Sequence, residues 1–177
     1  MKIIKTKFKD LLIVKQKNNF DKRGCLRETF SINKLKKIFI FEYCTTSKKN
    51  VVRGFHFQIN NQQSKYVSVL KGKILDCVVD LRKNSKTFGK SFKIILSASN
   101  ALSLYIPKGF AHAYYSFDKE NIIYYKLDNY YKPSSERGII WNDKNLKIKW
   151  PVKKPFVSLK DKHLPTFKEF FKKKKIT

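Results

Sequence analysis

Short apolar or alternating segments recur along the whole chain, and each is closed by turn-forming residues. They occupy residues 11–14, 26–30, 38–44, 51–58, 66–70, 74–81, 92–96, 102–106, 112–117 and 122–127. Strands of this length at this spacing are the pattern of an antiparallel sandwich or barrel. Asn18-Asn19 and Asp21-Lys22-Arg23-Gly24 read as turn signals, and Gly72 and Phe88-Gly89-Lys90 read as hairpin turns. Helical periodicity is weak: Ser31 caps a short segment through Lys37, and residues 167–173 form a terminal amphipathic one. The 177 residues are expected to form one all-β domain, 1–177, with a less regular flap over about 151–177 after Trp150-Pro151. Apolar residues make up 42% of the chain and aromatics 15%, enough for a sizeable core and too many for intrinsic disorder. A closed β-domain of this kind surrounds either a packed interior or a ligand cavity.

The formal net charge of +27 invites a nucleic-acid reading. The lysines, however, are dispersed, the one dense run at Lys172–Lys175 is terminal, and no nucleic-acid motif is present, so a solvated basic surface is expected and no nucleic-acid partner. Arginines are few, and a planar guanidinium suits fixed phosphate contacts. Cys25, Cys44 and Cys77 are odd in number and lack CxxC spacing, which suggests neither a disulfide framework nor a zinc site. No apolar run is long enough for a membrane span, and a cytoplasmic setting is expected.

Chemistry falls on few side chains. His56 lies in Val51-Val52-Arg53-Gly54-Phe55-His56-Phe57-Gln58, where strand alternation puts Val52, Gly54, His56 and Gln58 on one face and Arg53 on the other. An imidazole beside a glycine suits a cavity wall, and a core histidine satisfied by a backbone carbonyl is the alternative. His112 follows the turn Pro107-Lys108-Gly109 onto a strand, where it either caps backbone groups or faces inward. With Gln58 two residues after His56 and no carboxylate close behind, no metal site is expected, which leaves acid–base work by a free histidine. Tyr124 and Tyr125 point to opposite faces, so one phenol is directed inward. Asp80 ends an apolar run, where a buried carboxylate needs a partner, and a histidine is a candidate.

These segments together resemble the dTDP-4-dehydrorhamnose 3,5-epimerases of nucleotide-sugar metabolism. The match is carried by Asp21-Lys22-Arg23-Gly24 with Glu28; Arg53-Gly54-Phe55-His56-Phe57-Gln58; Lys65; Val79-Asp80-Leu81-Arg82; Pro107-Lys108-Gly109-Phe110-Ala111-His112; Tyr125-Lys126; Tyr130-Tyr131-Lys132-Pro133 with Glu136; Trp141-Asn142-Asp143; and Ser158-Leu159-Lys160-Asp161. The resemblance implies a cupin-like jelly roll without metal or cofactor, a nucleotide-sugar substrate, and a homodimer whose sites are completed by the N-terminal part of the partner. It further implies His56 as base, oriented by Asp161 with Asp80 as a second candidate, and Tyr125 as the proton donor on the opposite sugar face. By the same resemblance Lys65 faces the enolate oxygen, and Arg23, Arg53 and Lys160 the diphosphate. Glu28, Gln58, His112 and Glu136 fall to polar substrate groups, and Tyr131 to the base. The chemistry needs these types: a C4 ketone acidifies C3 and C5, so inversion takes a base on one face, an acid on the other and a cation near O4. The chain departs from the family at Phe41-Glu42-Tyr43, where members usually carry Gln-x-Asn. A single-centre C3 epimerase or ketoisomerase on a related nucleotide 4-keto sugar and a catalytically silent cupin-like binding module are the competing readings.

Overall fold

A computed structural model describes residues 1–173, so the end of the terminal lysine run, residues 174–177, lies outside the described residues. The elements in order are β1 (Lys2–Lys5), β2 (Leu12–Lys15), β3 (Asn18–Asp21), β4 (Gly24–Arg27), α1 (Ile32–Leu35), β5 (Phe41–Lys48), β6 (Val52–Gln58) and β7 (Lys65–Lys71). They continue with β8 (Lys73–Asp80), β9 (Ser91–Ser97), β10 (Leu102–Ile106), β11 (Phe110–Ser116), β12 (Glu120–Leu127), β13 (Glu136–Gly138), α2 (Leu159–Lys162) and α3 (Phe167–Lys173). Six strands form one antiparallel sheet in the order β1-β2-β10-β7-β12-β5, and five form a second, β13-β6-β11-β8-β9. This is the all-β, cupin-like sandwich expected from the strand pattern.

The two sheets enclose a core built from their inward faces, with Val67, Val69, Leu104, Ile106 and Ile123 on the larger sheet and Ile74, Val78, Leu96 and Phe110 on the smaller. The smaller sheet is covered on its other face as well. There Phe55, Phe57, Cys77, Val79, Ala111 and Ala113 pack beneath Ile139, Leu146, Trp150, Phe167 and Phe170 of the C-terminal segment. Strand β11 is therefore buried at every position, which is why Phe110-Ala111-His112-Ala113-Tyr114-Tyr115-Ser116 reads as a continuous rather than alternating run.

Three local expectations are corrected. Asn18-Asn19 is not a turn but the start of β3, which pairs with β4 about the turn at Lys22-Arg23; the hairpin forms a sheet of its own and is exposed, so no apolar alternation marks β3. Gly72 does not close a hairpin, because β7 and β8 belong to different sheets. It turns the corner between them with φ 80°, and a side chain there would meet Asn121 and Glu120. The helix after Ser31 is shorter than expected and stops at Lys36, whose φ is 56°.

Candidate active site

Strand β6 carries His56 into the interior. Its Nε2 lies 2.7 Å from Oδ1 of Asp161, a residue 105 positions further along the chain. Asp161 sits in α2, whose first turn is capped by Ser158 as its Oγ accepts the Asp161 amide N–H at 3.1 Å. The second carboxylate oxygen accepts the Gly54 N–H at 3.2 Å. Asp161 is 3% exposed. Burial pushes its carboxyl upward, but the His56 hydrogen bond and charge, the Gly54 amide and Lys160 outweigh it and hold the group below the ordinary carboxylate range. An ionised acceptor fixes the imidazole proton on Nε2 and leaves Nδ1 as the free, basic nitrogen.

Gly54 is required where it stands. Its φ is 114°, and a Cβ would collide with the His112 carbonyl oxygen and come within 2.7 Å of Ala113. Beside it the register between β6 and β11 slips: His56 pairs with His112, yet Arg53 pairs with Tyr114. That irregularity turns Arg53 onto the same face as His56, against the strict alternation expected from sequence. The Arg53 guanidinium donates from Nε to Ser47 Oγ at 3.1 Å.

His56 and Arg53 line a cavity of about 170 Å³ together with Lys65, His112, Tyr125, Tyr43, Thr45 and Tyr114. A wider groove of about 510 Å³ opens beside it between β6 and residues 155–162; Arg53 and His56 line both, and Lys160 and Asp161 line the groove. Tyr125 stands on β12, its ring buried and its hydroxyl raised well above the ordinary phenol value by burial, with Tyr114, Tyr43 and Asp76 adding to the effect. Lys65 opens β7; burial lowers its ammonium to about 8 against the pull of Glu136 and Asp76. No hydrogen bond or ion pair engages that ammonium among the described residues.

His112 is also buried, and its Nε2 donates to Asp76 at 2.9 Å. Asp76 was not among the sequence candidates. Its signal was present, since it shares the run and the strand face of Asp80; the cross-strand register sets His112 opposite Val78, midway between the two, and the side-chain contact at 2.9 Å shows that it is Asp76 that meets the histidine. Asp80 meets none. Its buried carboxylate takes a bidentate contact from Arg82 at 2.8 Å and hydroxyls from Ser85 and Thr87 at 2.6 Å, so it anchors the β8–β9 loop rather than orienting His56.

Other expected positions divide similarly. Tyr131 donates to Glu136 at 2.7 Å and Lys160 pairs with the same carboxylate, a cluster at the groove beside His56. There, burial would raise Glu136, but Lys160, Tyr131 and the His56 charge hold it lowered. Gln58 does not offer its amide to the cavity: it donates to the carbonyls of Asn61 and Tyr130 and accepts the Lys132 N–H at 2.7 Å, bracing two loops. Arg23, paired with Asp21, and Glu28, paired with Lys34, lie away from the cavity within this chain, on and just after the projecting hairpin. Phe41 and Tyr43 form a row with Tyr125 and Tyr130, with Tyr43 stacked on Tyr125 at 4.9 Å between ring centroids.

A family model described as dTDP-4-dehydrorhamnose 3,5-epimerase matches residues 5–169. The chain belongs to that family. Among curated relatives, the epimerase is 40% identical over 173 residues to the dTDP-4-dehydrorhamnose 3,5-epimerase of Salmonella typhimurium, covering 93% of this chain and 94% of the relative. It is 39% identical over 168 residues to that of Shigella flexneri, covering 91% and 93%. Among solved structures, the Bacillus anthracis dTDP-4-dehydrorhamnose 3,5-epimerase with TDP and PPi bound superposes with a TM-score of 0.90 at 38% identity, covering 94% of this chain and 99% of that one. A Legionella pneumophila epimerase in complex with dTDP-4-keto-L-rhamnose gives 0.89 at 36% identity, covering 93% and 92%. The protein is an isomerase of the nucleotide-sugar epimerase class. No helix among the described residues is long and apolar enough to cross a membrane.

Proposed function

We propose that the epimerase inverts C3 and C5 of dTDP-4-dehydro-6-deoxy-D-glucose, giving dTDP-4-dehydro-L-rhamnose, with His56 as the base and Tyr125 as the acid. One observation carries this reading: the His56–Asp161 dyad and the buried Tyr125 phenol face one cavity, with the Lys65 ammonium on its wall. His56 Nδ1 takes the proton α to the C4 ketone, and the resulting imidazolium is held by the ionised Asp161. Negative charge develops on O4, where Lys65 stabilises it. The Tyr125 hydroxyl, protonated at neutral pH, delivers a proton to the opposite face, and solvent restores the phenol. Substrate and product have the same oxidation state, so the inversion needs no redox cofactor.

The groove beside His56 suits the nucleotide diphosphate, with Arg53 and Lys160 as cations and Tyr131 available for the base. Arg23 and Glu28 reach a site through a second subunit in this reading: the hairpin that carries Arg23 exposes Phe20 at 75% and Leu26 at 71%, an apolar surface suited to a homodimer. A cytoplasmic setting agrees with three free cysteines.

Turnover in heavy water tests the assignment. Deuterium is expected at both C3 and C5, His56→Asn is expected to abolish exchange at both, and Tyr125→Phe is expected to keep exchange while losing inversion by about 10²- to 10⁴-fold. Label confined to C3 would establish the single-centre reaction instead. Undiminished inversion by His56→Asn would place the base elsewhere.

A further inference from the structure

Among the described residues, nothing polar holds the Tyr125 phenol in place. No hydrogen bond to its hydroxyl is formed within the described residues, so the ring is located by packing alone. On one side His112 meets it edge-on, at 6.0 Å between centroids and 69° between planes. On the other, Tyr43 lies directly opposite in the antiparallel register of β5 and β12, its ring 4.9 Å away and tilted by only 22°. Tyr43 is itself backed by Phe41 at 5.8 Å, and Phe41 by Tyr130 at 5.9 Å. This row begins in the cavity and ends at the exposed Tyr130. His112 is fixed by Asp76, so both walls of the slot holding Tyr125 are anchored.

We infer that Tyr43 is a positioning residue for the proton donor, its ring clamping Tyr125 in the orientation that delivers a proton to the sugar. The inference rests on the proposed role of Tyr125. An asparagine, the usual family residue here, can hydrogen-bond a substrate but offers no flat face to a phenol. The exchange of Asn for Tyr therefore gives up a polar contact and gains rigidity of the acid. Proton delivery to carbon is sensitive to placement: a shift of about 1 Å in a reacting group can cost on the order of 10²-fold. An offset-stacked neighbour restrains a ring against such shifts. Burial raises the Tyr43 hydroxyl to about 12, so it stays neutral beside Tyr125 and adds no charge to the slot.

The test compares Tyr43→Phe, which keeps the ring, with Tyr43→Asn, which restores the family residue and removes the stack. Each is assayed in heavy water for two rates: solvent exchange at the sugar carbons, which needs only the base, and inversion, which also needs the acid. Tyr43→Phe is expected to retain both rates within about twofold. Tyr43→Asn is expected to lower inversion about tenfold or more while exchange holds, so that the ratio of exchange to inversion rises. A merely structural defect lowers both rates together and leaves the ratio unchanged, and that result overturns the clamp. Equal inversion losses in the two variants would overturn it too, since the hydroxyl would then be the working group. Tyr125→Phe is run alongside: if it keeps full inversion, the acid assignment fails and the clamp fails with it. If Tyr125→Phe loses inversion and Tyr43→Asn does not, only the clamp fails.

Discussion

Replacing Asp161 by Asn changes one atom in the dyad and affects both hydrogen bonds that the carboxylate accepts. In the parent, one oxygen takes His56 Nε2–H at 2.7 Å and the other takes the Gly54 N–H at 3.2 Å. Asparagine has a single acceptor oxygen. If that oxygen serves Gly54, the amide NH₂ faces Nε2 and forces the imidazole proton onto Nδ1, the nitrogen needed as base. If it serves His56, the NH₂ opposes the Gly54 N–H in a site that is 3% exposed. Loss of a charge-assisted hydrogen bond is worth about 1.5–3 kcal/mol, roughly 10- to 150-fold in rate. The wrong tautomer adds to this, and in a serine protease triad the comparable change costs about 10⁴-fold. Asp161→Asn is therefore expected to lower kcat for inversion by about 10²- to 10⁴-fold, with a smaller effect on KM. Steady-state kinetics on the dTDP-4-keto-6-deoxy sugar, alongside a thermal melt, make the measurement. A folded variant that keeps more than a tenth of the parental kcat would refute the argument that Asp161 sets the His56 tautomer.

The Lys65 ammonium is lowered to about 8 by burial, so its charge is lost as pH rises through that value, and kcat/KM of the free enzyme is expected to fall on the alkaline side near pH 8. Lys65→Arg should move that limb upward because a guanidinium stays charged, and an unmoved limb would assign it to another group. The same burial opposes folding below about pH 8 and relaxes above it, so Lys65→Met is expected to raise Tm at pH 7 while lowering kcat, measured by melts and kinetics together. Gly54→Ala meets the β11 backbone at a φ of 114°, and a cost of about 2–3 kcal/mol should lower Tm by roughly 4–12 °C; a Tm within 1–2 °C of the parent would contradict the close approach. His56 and His112 are each committed to a carboxylate, and no three metal-ligating side chains converge among the described residues, so exhaustive chelation is expected to leave kcat unchanged. Activity lost to chelation and restored only by a divalent metal would oppose the metal-free reading.

Much of the sandwich was legible because its strands are coded locally: β2 and β6 to β12 all fall on apolar or alternating segments. What was not legible depends on partners. Gly72 signals a turn, but nothing near it tells whether the next strand rejoins the same sheet or crosses to the other. Strand β3 is nearly all polar because its hairpin leaves the core. In the site, His56 and Tyr125 were identifiable by type and motif, whereas Arg53 was assigned to the wrong face because a bulge at Gly54 and Phe55 interrupts the two-residue period. Asp76 and Asp80 are equivalent by alternation. Arg82, two residues beyond Asp80, supplies that carboxylate with a cation of its own, while His112 leans the other way to Asp76.

The base is assembled from parts of unequal permanence. His56 belongs to a strand between β11 and β13 in a sheet buried on both faces, while Asp161 belongs to a mostly exposed segment. That segment is joined to the sheet edge by the Val52 N–H to Phe156 carbonyl bond at 3.0 Å and the Phe156 N–H to Asn50 carbonyl bond at 2.8 Å. Sub-global opening of that segment would disarm the imidazole while the sandwich stays intact. Increasing denaturant should therefore extinguish turnover in step with hydrogen exchange at the Phe156 and Asp161 amides, well before protection is lost at Val78 or Leu104 in the core.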